Sequence, residues 1–403
     1  MRILVVVQRY GAEVMGGSEG HARTTAIRLS RRHTVEVATT TALDFWTWAN
    51  HYDAGESELD GIKVRRFLVS GGRREDYKDV ERHVLFEPHT LADEFDWLRA
   101  QGPHSPNLLD YIHDHGDEYD AVLFYTYIYE TTALGLPILP ERAALISTAH
   151  DELPLKLAPY RALFQLPRAF GFLTPEERAL VQARFRNEHI PSEVLGIGMD
   201  PAPEPDESYR ARFADGPLVA YLGQVSEGKG VDELLALWDR YRESGGRGTL
   251  ALAGSPQLTI PKRDDIVALG RVNDAEKWSL LAAADALVLP SHLESLGIVL
   301  LEAWQVGTPV LVPQWNAVTS GQVSRSRGGF AYDRDTFVDS LMAVVADGEA
   351  IGARGQSWVR EECSWHSFDA RLERLIALTA DSRNAAGDRR VPRGNIREQA
   401  AAL

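Results

Sequence analysis

The chain has 403 residues, about three times the span of one compact core, which points to two domains. Hydrophobic residues make up 44% and charged residues 25%, a balance that excludes a disordered or fibrous chain. With 43 Lys and Arg against 58 Asp and Glu, the net charge of −15 argues against nucleic acid and anionic lipid surfaces as general partners.

The single cysteine, Cys363, cannot form an internal disulfide, and no run approaches the ~18 apolar residues that span a bilayer. The opening MRILVVVQRY is too short for the apolar region of a signal peptide and reads as the first strand of a cytoplasmic protein. From there, β-branched runs alternate with amphipathic stretches, the pattern of βαβ units and parallel sheets. The first half predicts strands at Ile3–Val7, Val35–Thr39, Ala121–Tyr125, Ala144–Thr148, Ala169–Leu173 and Glu193–Ile197. The second predicts them at Leu218–Leu222, Thr249–Ala253, Ile266–Leu269, Ala286–Leu289, Val310–Val312 and Phe330–Tyr332. Several are apolar throughout, as strands covered on both faces are. Val231, Leu234, Leu235 and Trp238 follow helical spacing. Residues 198–210, rich in proline and charge, divide the halves, so two Rossmann-like domains facing a shared cleft are expected: 1–198 and 199–363. A weakly ordered tail is expected at 381–403.

Between these elements lie the residues that carry chemistry. Gly16 and Gly17 follow the first strand and permit close backbone approach, with Ser18 placed to cap the next helix. The loop lacks the G-x-G-x-x-G fingerprint, which removes the main support for a dehydrogenase. Phe45, Trp46, Trp48 and Tyr52 read either as core or as part of an acceptor groove. Residues 63–82 interleave seven basic with four acidic residues and read as a solvated face, with docking of a lipid-linked acceptor as the alternative. His113, Asp114, His115, Asp117, Glu118 and Asp120 imitate a metal cluster at a solvated helix end. Gly223–Lys229 matches G-x-x-x-x-G-K, but Gly230 replaces the Ser or Thr of a nucleotide triphosphatase loop. In SHLESLGIVLLEAW, Glu294 and Glu302 have seven residues between them, and a helix starts near Ser295–Gly297. Free N–H groups at that start present partial positive charge to an anion, with Gly297 allowing its approach. Glu302, among Leu300, Leu301, Ala303 and Trp304, needs a hydrogen-bonding partner, and ribose hydroxyls suit it. Asp333-Arg334-Asp335 imitates a metal-binding D-x-D but follows a terminal strand.

The segment Pro290–Val310 resembles the E-x₇-E signature of the retaining family-4 nucleotide-sugar glycosyltransferases of GT-B fold. Gly16-Gly17, Thr148–Asp151, Gly223 with Lys229-Gly230, Gly270–Val272 and Ser364-Trp365 agree in order, so the resemblance covers roughly residues 1–380. It implies a GT-B α/β architecture, with an acceptor domain at 1–198, a donor domain at 199–363 and a helix at 364–380 crossing back to the first domain. It implies that Gly17 and Lys229 meet the donor diphosphate, that Gly223 opens the donor loop, and that the Val272 backbone reads the base. Glu294 with Ser295, Leu296 and Gly297, together with His150, would hold the transferred hexose, and Glu302 the ribose. Asp151 would orient His150 or touch the acceptor, and Glu19 and His21 would contact the acceptor. Gln224 stands where the family has an arginine, and Arg271 is the cation that would compensate. The expected reaction moves a hexose from a GDP- or UDP-sugar to a hydroxyl of a carbohydrate or glycoconjugate, with retention and without an essential metal or other cofactor. Peripheral membrane contact is compatible with a lipid-linked acceptor. Rival readings on the same fold are an epimerase, a phosphorylase or a non-catalytic nucleotide-sugar-binding scaffold.

Overall fold

A computed structural model describes residues 1–14 and 16–380; the tail expected at 381–403 lies outside them. The chain divides into two compact units, one of residues 1–195 with the segment from Asp369 on, the other Gly196–Phe368.

The first unit is built on an eight-stranded sheet: β1 (Arg2–Val6), β2 (Thr34–Thr40), β3 (Gly55–Leu59), β4 (Ile62–Phe67), β5 (Ala121–Tyr125), β6 (Ala143–Ile146), β7 (Ala169–Phe172) and β8 (Ser192–Val194). Their order is β3-β4-β2-β1-β5-β6-β7-β8. Ile3, Leu4, Val5 and Val6 are wholly buried, as are all of β5 and β6. Each Val, Leu, Ile or Phe among them contributes ~1.5–3 kcal/mol of burial, which is why these apolar runs become central strands. Two strands depart from the sequence reading. Residues 62–67 do not form a solvated face: they pair in parallel with β2, and Ile62, Val64 and Arg66 are buried. Asp60 and Gly61, both at positive φ, turn this strand back onto β3, the single antiparallel pairing of the sheet. Trp48 is core, its indole N–H donating to the Gln101 carbonyl at 2.8 Å, whereas Trp46 is exposed.

The second unit carries β9 (Leu218–Leu222), β10 (Thr249–Ala253), β11 (Ile266–Gly270), β12 (Ala286–Val288), β13 (Val310–Pro313) and β14 (Gly329–Tyr332). All pairings are parallel, in the order β11-β10-β9-β12-β13-β14. The chain runs outward from β9 to β11, then jumps back to β12 and runs outward the other way. The direction therefore reverses between β9 and β12, and the loops beyond their carboxyl ends diverge to leave a crevice. A helix at Val231–Glu243 buries Val231, Leu234, Leu237 and Trp238 against this sheet. The helix Trp365–Ala380 begins in the second unit, where the Trp365 ring covers Gly198. From Asp369 on it belongs to the first, where Asp369 pairs with Arg28, Glu373 with His33 at 3.1 Å and Arg374 with Glu193 at 2.8 Å.

Candidate active site

The crevice beyond β9 and β12 brings Lys229 and Glu294 together. After β9 the chain passes Gly223 and Gln224 and forms a short turn, Glu227–Lys229, before Gly230 starts the next helix. Gly230 lies at φ 71°, and a Cβ there would sit 2.5 Å from the Pro290 carbonyl oxygen. Only glycine combines that conformation with that contact. The contact seats the β9 loop against the β12 loop and so brings Lys229 to Glu294, Nζ to Oε1 at 2.8 Å. Lys229 keeps 38% of its side chain exposed and Glu294 17%.

Glu294 leads into Ser295, Leu296 and Gly297, which N-caps the helix Ile298–Gln305 in a left-handed conformation and with no side-chain cap. Gln322 fixes the loop from behind, donating to the Leu296 carbonyl at 2.7 Å. An uncapped helix start beside a lysine favours an anion. One turn on, Glu302 has a protein partner not anticipated from sequence: Lys277 Nζ lies 2.7 Å from Oε1, with both side chains mostly buried. The buried carboxylate is thereby paired, and a second ammonium joins the crevice. Arg271, exposed, and Val272, half-buried, follow β11, two strands from β9. Gln224 is exposed, and its carbonyl accepts from the Tyr221 hydroxyl at 2.7 Å.

The first unit places its candidates differently. Gly17 opens the helix Gly17–Ser30 with open space where a Cβ would be. A Cβ on Gly16 would lie 2.1 Å from Glu19 Oε2, so a larger residue there would make the Glu19 carboxylate shift. Glu19 and His21, the expected acceptor contacts, are both engaged within the unit, and Glu19 also lines a cavity with Gly20 and Arg23. Glu19 is buried, accepting from Arg9 Nε and Gln8 Nε2, both at 2.9 Å, and from Ser18 Oγ at 2.8 Å. His21 is 3% exposed and hydrogen-bonds the Tyr125 hydroxyl at 3.0 Å. Both side chains point into the unit because the helix turns its first-turn face toward the sheet. His150, half-buried, and Asp151, exposed, follow β6 at the carboxyl edge of the sheet.

The loop carrying them is held by Glu177, which sequence reasoning missed. Its carboxylate accepts from Ser147 Oγ at 2.6 Å, the Ala149 N–H at 2.8 Å and the Leu173 N–H at 2.7 Å. Full burial pushes its pKa up to about 7 against the lowering effect of those donors. In sequence, T-P-E-E reads only as a helix start. The imitation metal clusters are locally engaged: His113 pairs with Asp114 and His115 with Glu118. Asp333 Oδ1 accepts from the Asp335 and Thr336 N–H groups.

Two mostly parallel sheets of this topology define the class of the fold, GT-B. Sucrose-phosphate synthase from Thermosynechococcus elongatus shares it with a TM-score of 0.68 at 16% identity, over 93% of this chain and 98% of that one. Residues 207–350, which include β9 to β14, match the family model "Glycosyl transferases group 1". Glycogen synthase from Mycobacterium tuberculosis is 30% identical over 161 residues, covering 38% of each chain. A GDP-mannose-dependent alpha-(1-6)-phosphatidylinositol monomannoside mannosyltransferase from Mycolicibacterium smegmatis is 27% identical over 224 residues. That match covers 49% of this chain and 58% of the relative, so the chain spans only part of these relatives' length.

Proposed function

We propose that the protein is a retaining hexosyltransferase of the family-4 type, using a GDP- or UDP-hexose and a hydroxyl of a carbohydrate or glycoconjugate. The observation that carries this reading is the Lys229–Glu294 pair at the β9–β12 crevice, beside the uncapped start of the helix that bears Glu302. The group 1 match and the sugar-nucleotide relatives support it. Lys229 and the helix start take the diphosphate. Glu302 accepts from the ribose hydroxyls, and Lys277 orients it. Glu294, released from Lys229 as the lysine turns to phosphate, accepts from the hexose hydroxyls.

In the reaction the bond between the anomeric carbon and the phosphate oxygen breaks, and a bond to the acceptor oxygen forms on the same face. The departing phosphate takes the acceptor proton. Positive charge develops on the sugar and negative charge on the leaving group, so preformed cations at the diphosphate lower the barrier. Glu294 positions the sugar and forms no covalent intermediate. The same reading calls for no essential divalent metal.

The test is calorimetric binding of GDP, UDP and ADP, followed by product analysis with the matching sugar nucleotides and a panel of glycosyl acceptors. One nucleoside diphosphate should bind at micromolar strength, and its sugar should appear on an acceptor with the anomeric configuration kept. Nucleotide binding without transfer would favour a scaffold, a reading motivated by Gln224 in place of a cation. Inverted product would refute retention.

A further inference from the structure

The carboxyl edge of the second sheet carries more than the donor crevice. Beyond β12, β13 and β14, closed by the first turn of the helix that follows the β9 loop, lies a second concavity of about 470 Å³. Glu233, His292, Trp315, Asp333, Arg334 and Asp335 line it. Its size falls within the ~300–1,000 Å³ of small-molecule sites.

One wall is an indole held in place with its surface still open. Trp315 is 41% exposed. Its Nε1–H donates to His292 Nδ1 at 3.2 Å, and its ring meets Tyr332 edge-on at 6.2 Å. An indole N–H only donates, so His292 Nδ1 accepts and the neutral imidazole carries its hydrogen on Nε2. That nitrogen lies 3.3 Å from Glu233 Oε2, and Arg334 Nε donates to Glu233 Oε1 at 2.8 Å. The chain Trp315, His292, Glu233, Arg334 therefore spans the pocket and fixes the ring before any ligand arrives. An aromatic side chain anchored at its edge and exposed elsewhere has little rotamer freedom left to lose on binding.

The charges select the ligand. Three carboxylates line the pocket against the Arg334 guanidinium, with Arg240 3.8 Å from Asp335 at its rim, so acidic groups outnumber basic ones and phosphate or sulfate is disfavoured, unlike in the lysine-lined crevice. Asp335 is almost fully exposed and keeps acceptor capacity for vicinal hydroxyls. A neutral polyhydroxylated ring presents C–H groups to an indole face and O–H groups to flanking carboxylates. No anion or simple hydrocarbon satisfies both.

We propose that this pocket is a binding site for a neutral glycan, separate from the donor crevice and holding a non-reacting stretch of a saccharide chain. The two sites share one loop: His292 belongs to the second pocket, and Glu294, two residues on, to the crevice. The proposal is independent of the transferase reading, because it is read by direct binding.

The experiment titrates the full chain with maltopentaose and α-mannopentaose, following tryptophan fluorescence and heat. At least one pentasaccharide should bind with a millimolar or tighter Kd, and a sulfated pentasaccharide should bind at least tenfold more weakly. Trp315→Ala should weaken the neutral ligand at least tenfold, and Trp315→Phe, which keeps a ring face, by threefold or less. Asp335→Asn, at an exposed site that folding does not need, should weaken it two- to fivefold. Lys229→Ala should leave it unchanged, because that lysine serves the other site. The proposal is overturned if neither pentasaccharide binds at 20 mM, if Trp315→Ala binds like the parent chain, or if the sulfated probe binds best. It is overturned also if Lys229→Ala abolishes pentasaccharide binding, which would place the glycan in the donor crevice.

Discussion

Two acid–base pairs stand at the carboxyl ends of the first strand of each sheet, and they have opposite characters. Arg9–Glu19, beyond β1, is 6% exposed on both sides, and its carboxylate accepts from Arg9, Gln8 and Ser18. Lys229–Glu294, beyond β9 and β12, rests on a single 2.8 Å contact with the lysine 38% exposed. A rigid guanidinium fork suits permanent pairing, and a flexible ammonium on a solvated stem suits exchange of one anion for another. The first pair therefore holds its loop fixed, whereas the second can exchange its contact for another anion at low cost.

The comparison breaks most clearly if Glu19 proves dispensable. Glu19→Ala removes the buried carboxylate that pairs with Arg9 and should destabilise the first unit by about 3–5 kcal/mol, read as a lower thermal midpoint. An unchanged midpoint would remove the distinction. Lys229→Ala should do the reverse. Transfer should fall ~10²–10³-fold, as for loss of one preformed donor to developing charge, while stability shifts by less than about 0.5 kcal/mol. A rate within twofold of the parent would remove Lys229 from the diphosphate.

A third prediction concerns the loop that bears His150. Glu177 keeps its proton in the folded chain up to about pH 7, against an ordinary value of 4.5. The unfolded chain releases it first, so rising pH across that window favours unfolding, by about 3 kcal/mol in total from this group. Urea midpoints of Glu177→Gln measured from pH 4.5 to 7.5 should show a flatter decline than the parent chain. Parallel curves would show that Glu177 does not titrate in that window. The smallest effect sharpens the donor half. Lys277→Met deprives Glu302 of its partner and should weaken nucleoside diphosphate binding about five- to tenfold, near the value of one ordinary hydrogen bond. Equal affinity by calorimetry would free Glu302 from that dependence.

Much of the fold is legible along the chain because central parallel strands are apolar on both faces, and β1, β5, β9, β10 and β13 stand out for that reason. β4 did not stand out: Lys63 and Arg65 alternate with its buried residues, Arg66 is itself buried, and charge masked the period of two. Its Asp60-Gly61 turn was the available signal. In the site, Gly297 marked the helix start, and Glu294 and Glu302 were marked by spacing. Lys277 was not, since it lies inside a helix 25 residues before its partner, and no local pattern points to that contact.

Composition, strand chemistry and the glycine positions were determined by the sequence itself, because backbone conformation and burial period are local properties. Which charges met was decided by the tertiary structure. It turned Glu19 and His21 inward, paired Glu302 with Lys277, set Glu177 under the His150 loop and anchored Trp315 across His292. Each depends on the separation of groups distant in the chain, and hydrogen bonds and ion pairs act over a few ångströms that only the packed fold sets.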